Sequence, residues 1–231
     1  MKTVAFVPAK ENSERIKNKN LQILDGEYLF KRKLRQLLDC NEIDEVWLDS
    51  ESEYMHNLCS DLPIKHHYRN VKLANNETDG HSMFANESKV TDADIVVQAL
   101  CTAPFIDKQV IDPALKKLKE SKKSSLVAVS EQKLYLWNDS KPTYGDKIPN
   151  SVDLPIHFIE AMSFYAVKTN NKPVSKRYTQ DVILYPITPL QLVDINIKED
   201  LEFAKDICAG QRSKKVQQLK ILSKTISSCL L

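Results

Sequence analysis

Glycine is scarce in this sequence: the 231 residues include only four, at positions 26, 80, 145 and 210. A Walker loop and a dinucleotide-binding fingerprint both need glycines grouped within a few positions of each other. No such group occurs here. Any phosphate site must therefore use other backbone amides and cationic side chains.

Paired cysteines, long apolar runs and a charge excess are also missing. The five cysteines are odd in number and form no Cys-x-x-Cys, which predicts reduced thiols in a cytoplasmic protein. The N-terminus lacks a signal-peptide pattern, and no run approaches the roughly 20 apolar residues of a bilayer span, so we expect no membrane association. The 33 cations nearly balance the 31 anions, so no overall field predicts nucleic acid binding.

The length and the hydrophobic fraction of 42% predict one domain, residues 1–231. Its most informative stretch is near the N-terminus, where the apolar run 4–7 stops at Pro8 and a polar loop begins. The loop carries four cations, Lys10, Arg15, Lys17 and Lys19. In an open α/β sheet, ligands lie beyond the carboxyl ends of the strands, so cations there predict an anionic ligand such as phosphate. The alternative is a loop whose lysines are simply solvated.

The motif Ala9-Lys10-x-x-Ser13-x-Arg15-x-x-x-Lys19-Asn20 resembles the signature of the cytidylyltransferases that activate acylneuraminic and related acidic sugars. That family usually has arginine at the position of Lys10, and lysine keeps the charge but loses the bidentate fork. The resemblance implies an α/β, three-layer, mostly parallel nucleotidyltransferase fold. It also implies that Lys10 and Lys19 hold the phosphates of CTP, and that the nucleotide is bound by Ala9, Ser13, Arg15 and Asn20.

Apolar spacing predicts a helix from Tyr28 to near Cys40, with Lys31, Lys33 and the arginines beside them on a solvated face. Strands are predicted near 43–48, 63–69, 95–97 and 125–129, and a helix over 110–119. Arg69-x-x-x-Leu73-Ala74 resembles the family's Arg-Pro-x-x-Leu-Ala, which implies that Arg69 lies near the nucleotide. The alternative is an ordinary surface arginine.

The sugar-binding motif of the family is only partly present. Thr102-Ala103-Pro104 matches its Thr-Ser-Pro, but Leu100 stands where the sugar-contacting glutamine is expected. Gln98 lies two positions earlier and faces the same side of the strand. The resemblance therefore implies Gln98 and Thr102 as candidate contacts to the acidic sugar.

The segment 131–165 resembles the family's excursion that forms an arm for the partner subunit, which implies a homodimer. Near the C-terminus, Asp194-Ile195-Asn196 resembles the family's Asp-x-Asp pair, whose alternate side chains share one face of a strand and hold Mg²⁺. Asp194 is retained and Asn196 replaces its partner. The alternative is that both residues cap the following helix. Residues 213–231 predict a basic amphipathic helix.

The implied reaction is attack by the anomeric hydroxyl of a 2-keto-3-deoxy acid on the α-phosphate of CTP, with release of pyrophosphate and Lys10, Lys19 and Asp194 as catalytic groups. Three alternatives stay open. The same fold could use another nucleotide or acceptor, or the chain could be a non-catalytic nucleotide-binding relative. It could also be a basic-patch binding module, whose affinity would follow salt and not magnesium.

Overall fold

A computed structural model describes residues 1–75, 77–170 and 172–229, with side chains described as far as Lys214. Its helices are α1 (Leu29–Leu38), α2 (Glu53–Leu58), α3 (Gly80–Lys89), α4 (Lys108–Glu120) and α5 (Lys198–Cys229). Its strands are β1 (Thr3–Pro8), β2 (Ile23–Leu24), β3 (Glu27–Tyr28), β4 (Glu45–Ser50), β5 (Lys65–Tyr68), β6 (Ile95–Ala99), β7 (Ser125–Lys133), β8 (Trp137–Asn138), β9 (Lys141–Pro142), β10 (Ile156–Lys168) and β11 (Val182–Pro186).

The central sheet has seven strands in the order β11-β7-β10-β6-β1-β4-β5. All neighbours are parallel except β10, which runs antiparallel to both β6 and β7. Buried apolar runs such as 4–7 and 95–97 form the central strands because both faces of the sheet are covered. The predicted mostly parallel α/β sheet is confirmed.

Alternation along β1 shows how the layers form. Ala5 and Val7 face the core shared with α1, α2 and α4, whereas Val4 and Phe6 face a second core that includes Phe84 of α3. Helices therefore cover both faces of the sheet, which gives the three layers expected from the sequence. The carboxyl ends of β1, β4 and β6 lie at the same edge of the sheet, because these strands are parallel.

Helix α1 departs from the sequence prediction at one residue. Lys33 is fully buried and its Nζ donates a hydrogen bond of 2.6 Å to the carbonyl of Ile106, before α4. Its neighbour Lys31 instead reaches Asp61 at the surface. The prediction of a solvated face was wrong for Lys33, because helical spacing places it on the side that packs against the β6–α4 connection.

The predicted arm begins and ends inside the sheet. Residues 131–133 belong to β7 and 156–165 to β10, so the part that leaves the sheet is 134–155, which contains the small β8–β9 hairpin. Beyond the core, β7 and β10 continue as an exposed two-stranded ladder.

Helix α5 begins after the Asp194–Asn196 segment and continues through the predicted basic helix as one element. The carboxylate of Asp200 accepts hydrogen bonds from the backbone N–H groups of Asn196 and Ile197, at 2.8 and 2.9 Å, which holds the preceding segment to the first helical turn. Leu230 and Leu231, also assigned to the predicted helix, lie outside the described residues. Within the described part of the chain, no helix is long and apolar enough to cross a bilayer.

Candidate active site

A cleft of about 370 Å³ opens at the carboxyl edge of the sheet, beyond β1 and β6. The polar loop after β1 forms one wall and the segment around Asp194 a second. The rest of the wall comes from the β5–α3 connection, α3, the segment after β6, β10 and the β10–β11 connection. This is the edge where parallel α/β sheets bind their ligands. The cleft therefore brings together the two parts of the predicted site, the loop near the N-terminus and the Asp194 segment near the C-terminus.

Three of the four predicted loop cations line this cleft: Lys10, Arg15 and Lys19. Burial lowers the pKa of Lys19, and the neighbouring charges of Arg15 and Lys10 lower it further, while Asp194 opposes the shift. A cation held in such surroundings gains from an approaching anion, which restores the missing counter-charge. The loop is therefore suited to bind phosphate groups.

Asn20 anchors the loop at the floor of the cleft. Its Nδ2 donates to the carbonyl of Lys10 at 2.8 Å, and its Oδ1 accepts a hydrogen bond of 3.0 Å from the Cys101 thiol. Burial raises the pKa of Cys101 to about 11, so the thiol keeps the proton that it donates. Asn20 lines the cleft as predicted, and Cys101 is a positioning residue that sequence reasoning missed.

Two other predicted loop residues are not part of the cleft wall. Ala9 is fully buried in the core beneath the loop, and its N–H donates to the carbonyl of Asp49 at 2.9 Å. Ser13 is partly buried in the loop itself. The Ala9 side chain packs in the core at the strand end, so Ala9 as a nucleotide-binding residue stays a prediction that could concern only its backbone.

Arg69 lines the cleft and is not a surface arginine, since its side chain is only 1% exposed. Its guanidinium donates to Asp49 at 2.9 Å and to Glu51 at 2.8 Å. These two carboxylates fix the guanidinium plane and balance its charge. Arg69 therefore presents a rigid edge to the cleft and little net positive charge.

Gln98 is not placed to contact a ligand. It is fully buried beneath α3, and its Nε2 donates to Glu87 at 2.5 Å. Burial and the nearby charge of Asp49 raise the pKa of Glu87 well above its ordinary value. The prediction of Gln98 as a sugar contact was wrong, because two steps back along β6 lies inside the core. Leu100 and Thr102 line the cleft instead.

Asp194 and Asn196 share the cleft, and Ile195 between them is buried in the core. Asn196 Nδ2 donates to Asp194 Oδ2 at 2.6 Å, and the buried Asp194 Oδ1 has no hydrogen-bond partner among the described residues. A carboxylate oxygen and an amide oxygen are hard ligands of the kind that Mg²⁺ accepts.

No group of three or more His, Cys, Asp or Glu side chains that could hold a metal occurs within the described residues. Mg²⁺ usually binds through one or two carboxylates and completes its shell with substrate phosphates. The Asp194–Asn196 pair fits that sparse pattern, and the basic loop that faces it fits the phosphates.

Arg177 is a cleft residue that sequence reasoning missed. It lies in the connection between β10 and β11, with its guanidinium 4.7 Å from the centre of the Tyr165 ring. No local pattern marks this arginine, since its place depends on contacts with distant parts of the chain.

Comparison with known proteins identifies the family. A cytidylyltransferase family model matches residues 4–226. The chain belongs to the cytidylyltransferase family. Family membership confirms the predicted nucleotidyltransferase class of enzyme.

Named relatives are similar over most of the chain. The pseudaminic acid cytidylyltransferase of Campylobacter jejuni is 26% identical over 227 residues, covering 89% of this chain and 95% of that protein. The 3-deoxy-manno-octulosonate cytidylyltransferase of Fusobacterium nucleatum is 22% identical over 176 residues, covering 74% and 68%.

Solved structures agree on the fold of this cytidylyltransferase. A CMP:2-keto-3-deoxy-manno-octonic acid synthetase complexed with CTP matches with a TM-score of 0.68 at 13% identity, over 91% of this chain and 100% of that one. A 4-diphosphocytidyl-2C-methyl-D-erythritol synthase from Anaerococcus prevotii matches with a TM-score of 0.66 at 13% identity, over 90% and 96%. The predicted nucleotidyltransferase fold is confirmed.

Proposed function

We propose that this cytidylyltransferase transfers the cytidylyl group of CTP to an acidic 2-keto-3-deoxy sugar, releasing pyrophosphate. The observation that carries the proposal is the single cleft shared by the basic loop, with Lys10 and Lys19, and the Asp194–Asn196 pair. The relatives named for pseudaminic acid and 3-deoxy-manno-octulosonate support an acidic sugar as the acceptor.

Catalysis in this cleft rests on positioning and on charge stabilisation. Lys10, Arg15 and Lys19 hold the triphosphate and stabilise the negative charge that develops on the leaving pyrophosphate. Asp194 Oδ1 and the amide oxygen of Asn196 would hold Mg²⁺, which when bound offsets phosphate charge at the reacting centre. The acceptor's anomeric hydroxyl attacks the α-phosphorus from the side of the cleft beyond β6.

Arg69 and Asn20 complete the nucleotide side. Arg69 is fixed by its two carboxylates, so it offers directed N–H groups and not a mobile charge. Asn20 has used one amide hydrogen and its carbonyl within the protein, which leaves one amide hydrogen for the nucleoside. The Ser13 hydroxyl remains a proposed loop contact once a nucleotide orders the loop around it.

We also propose a homodimer that uses the arm and the outer part of β10. Several large apolar side chains there are exposed, including Trp137 at 63%, Ile156 at 53% and Phe158 at 49%. Monomeric proteins rarely leave such a group uncovered on one surface. The described cysteines Cys40, Cys59, Cys101 and Cys208 are free and buried, which supports a reducing, cytoplasmic setting.

The proposal is tested by measuring pyrophosphate release with Mg²⁺, each of CTP, GTP, UTP and ATP, and a panel of nonulosonic and 2-keto-3-deoxy acids. We expect turnover with CTP and at least one acid. Lys19→Ala should lower kcat/KM by about a hundredfold or more, because it removes charge stabilisation of the leaving group. Lys17→Ala is the matched control, since Lys17 lies in the same loop with an exposed side chain outside the cleft wall.

Two outcomes would contradict the proposal. Turnover with another nucleotide alone would move the chain to a different transfer reaction. If no nucleotide turns over and CTP with Mg²⁺ fails to raise the melting temperature, the family reaction is absent and the alternative of a basic-patch binding module is favoured.

A further inference from the structure

The cleft contains a second cationic centre, Arg177, on the opposite side from the basic loop. Arg177 lies over Tyr165 of β10, and β6 separates β10 from β1, which leads into the basic loop. Neighbouring strands are about 4.8 Å apart, so β10 and β1 are separated by about 10 Å. A triphosphate held by the basic loop therefore leaves the Arg177 side of the cleft for another anionic group.

The guanidinium of Arg177 is positioned by packing against an aromatic ring and not by an ion pair with a described carboxylate. It lies over the Tyr165 ring, and its backbone N–H donates to His81 Nδ1 at 3.3 Å. Its buried Nε has no hydrogen-bond partner among the described residues. Cation–π stacking covers one face of the guanidinium, and one N–H group also interacts with the Tyr165 hydroxyl. The other in-plane N–H groups are available to a ligand.

Two carboxylates in the surrounding segments are committed elsewhere. Glu160 accepts the hydroxyl hydrogen bond of Tyr165, and Asp79 caps α3 by accepting from the N–H groups of His81 and Ser82. No ion pair to Arg177 exists among the described residues, whereas Arg69 across the cleft has two. No described carboxylate therefore pairs directly with the Arg177 guanidinium.

Gly80, the first residue of α3, makes room for this guanidinium. A Cβ added at Gly80 would lie 2.2 Å from Arg177 Cζ and 2.3 Å from its Nη1, far inside contact distance. The described α-helices contain two glycines, Gly80 and Gly210, and Gly80 is the one that packs against the Arg177 guanidinium. A side chain at this position would push the guanidinium away from its place on Tyr165.

We propose that Arg177 is the residue that recognises the carboxylate of the acceptor sugar, and that Gly80 fixes its position. The inference rests on the proposed function, because it takes the acceptor to be an acid. A planar guanidinium that no described carboxylate engages matches a carboxylate ligand, which it binds in a bidentate manner. Arg177 supplies a carboxylate-binding cation at the far end of the cleft from the triphosphate loop.

The test compares wild-type protein with Arg177→Met, Arg177→Lys, Gly80→Ala and the control Lys176→Ala. Lys176 is exposed in the same connection and lies outside the cleft wall. Steady-state pyrophosphate release is measured with N-acetylneuraminic acid, pseudaminic acid and 3-deoxy-manno-octulosonate, and KM is determined separately for CTP and for the acid that turns over. CTP binding is followed independently by its effect on the melting temperature.

We expect Arg177→Met to raise the acceptor KM by about ten- to a hundredfold, the usual effect of losing a charged hydrogen bond, with the CTP KM within about threefold of wild type. Arg177→Lys should raise the acceptor KM less than Arg177→Met does. The control Lys176→Ala should leave the acceptor KM unchanged. Gly80→Ala should raise the acceptor KM although Arg177 is still present. The melting temperature should change little, because the atoms that clash belong to the flexible end of the Arg177 side chain, which can move aside.

An unchanged acceptor KM in Arg177→Met, with wild type active, overturns the inference and leaves the proposed function intact. A rise in the CTP KM alone also overturns it, since it would assign Arg177 to the nucleotide. If wild type turns over no acid with CTP, the proposed function fails, and the inference fails with it.

Discussion

Replacing the buried Lys33 with methionine should change how the stability of this protein depends on pH. Lys33 Nζ is inaccessible to water and bonded only to the Ile106 carbonyl, and burial lowers its pKa to about 7 from the ordinary 10.5. Between these two values the folded protein holds a neutral amine, whereas the unfolded chain holds a protonated one.

The sign and size of the effect follow from proton linkage. Because the unfolded state binds more protons, the free energy of unfolding rises with pH, by at most about 1.4 kcal/mol per pH unit. From pH 7.5 to 9.5 the contribution of Lys33 should rise by about 2.5 kcal/mol, since the folded amine is still partly protonated at pH 7.5. This contribution is complete above the unfolded pKa and is lost as pH falls through 7.

Urea unfolding followed by circular dichroism at pH 7.5, 8.5 and 9.5 measures the difference between wild type and Lys33→Met. Methionine keeps a straight chain and good helix propensity, and groups that titrate in both proteins cancel in the difference. The lost hydrogen bond to Ile106 adds an offset of about 1–3 kcal/mol that does not vary with pH. The wild type should gain on the variant by about 2.5 kcal/mol across this range.

The matched control is Lys31→Met, the same change on the same helix but at a side chain that pairs with Asp61 at the surface. If the wild-type and Lys33→Met curves stay parallel within about 0.5 kcal/mol, the argument from burial is refuted. A folded pKa near the ordinary value would then require water or a counter-charge beside Lys33.

Three further predictions concern the cleft, its surroundings and the arm. Asn196→Asp should tighten Mg²⁺ binding, seen as a lower Mg²⁺ concentration for half-maximal turnover, because a second carboxylate joins Asp194; an unchanged midpoint would exclude residue 196 as a ligand. Glu87→Gln should keep the fold, since glutamine imitates the protonated acid. The raised pKa of Glu87 makes the stability of the wild type fall as pH rises above the pKa of this group in the unfolded chain. The variant should therefore lose less stability than the wild type from about pH 5 to 8, measured by melting temperature. Phe158→Asp should convert a dimer to a monomer in sedimentation, by placing a charge in the proposed apolar interface. An unchanged mass would place the contact elsewhere. Lys122→Asp is the matched control, since Lys122 is exposed after α4 and lies outside the arm and β10.

Local sequence pattern was enough to identify the elements that carry the fold. The run 4–7 and the run 95–97 are apolar over their whole length, and such runs form central strands because both faces are buried. The basic loop was also readable, since it follows a strand end. Asp194 and Asn196 share the cleft with Ile195 buried between them, as an alternating pattern predicts, although the segment forms an extended stretch outside the sheet and not a strand. These features depend on residues close together in the chain.

The depth of a residue was decided by tertiary packing. Gln98 points to the same face of β6 as Leu100, where the sugar contact was expected. However, α3 covers β6 at Gln98, and the Gln98 amide donates a hydrogen bond to Glu87 of α3. Lys33 lies on the buried side of α1 although its neighbours are solvated, because the connection before α4 packs there. Strand alternation and helical spacing predict the direction in which a side chain points. They do not predict which other element packs over that side chain.

The sequence by itself therefore determined five strands of the sheet, the basic loop after β1 and the spacing of Asp194 and Asn196, since each follows from the pattern within one short segment. Only the tertiary structure placed Arg177 against Gly80 and Tyr165 and joined Cys101 to Asn20. Those contacts link segments that are far apart in the chain and meet only when the sheet has formed. Their geometry depends on how packed elements leave room for one another, which no local pattern records.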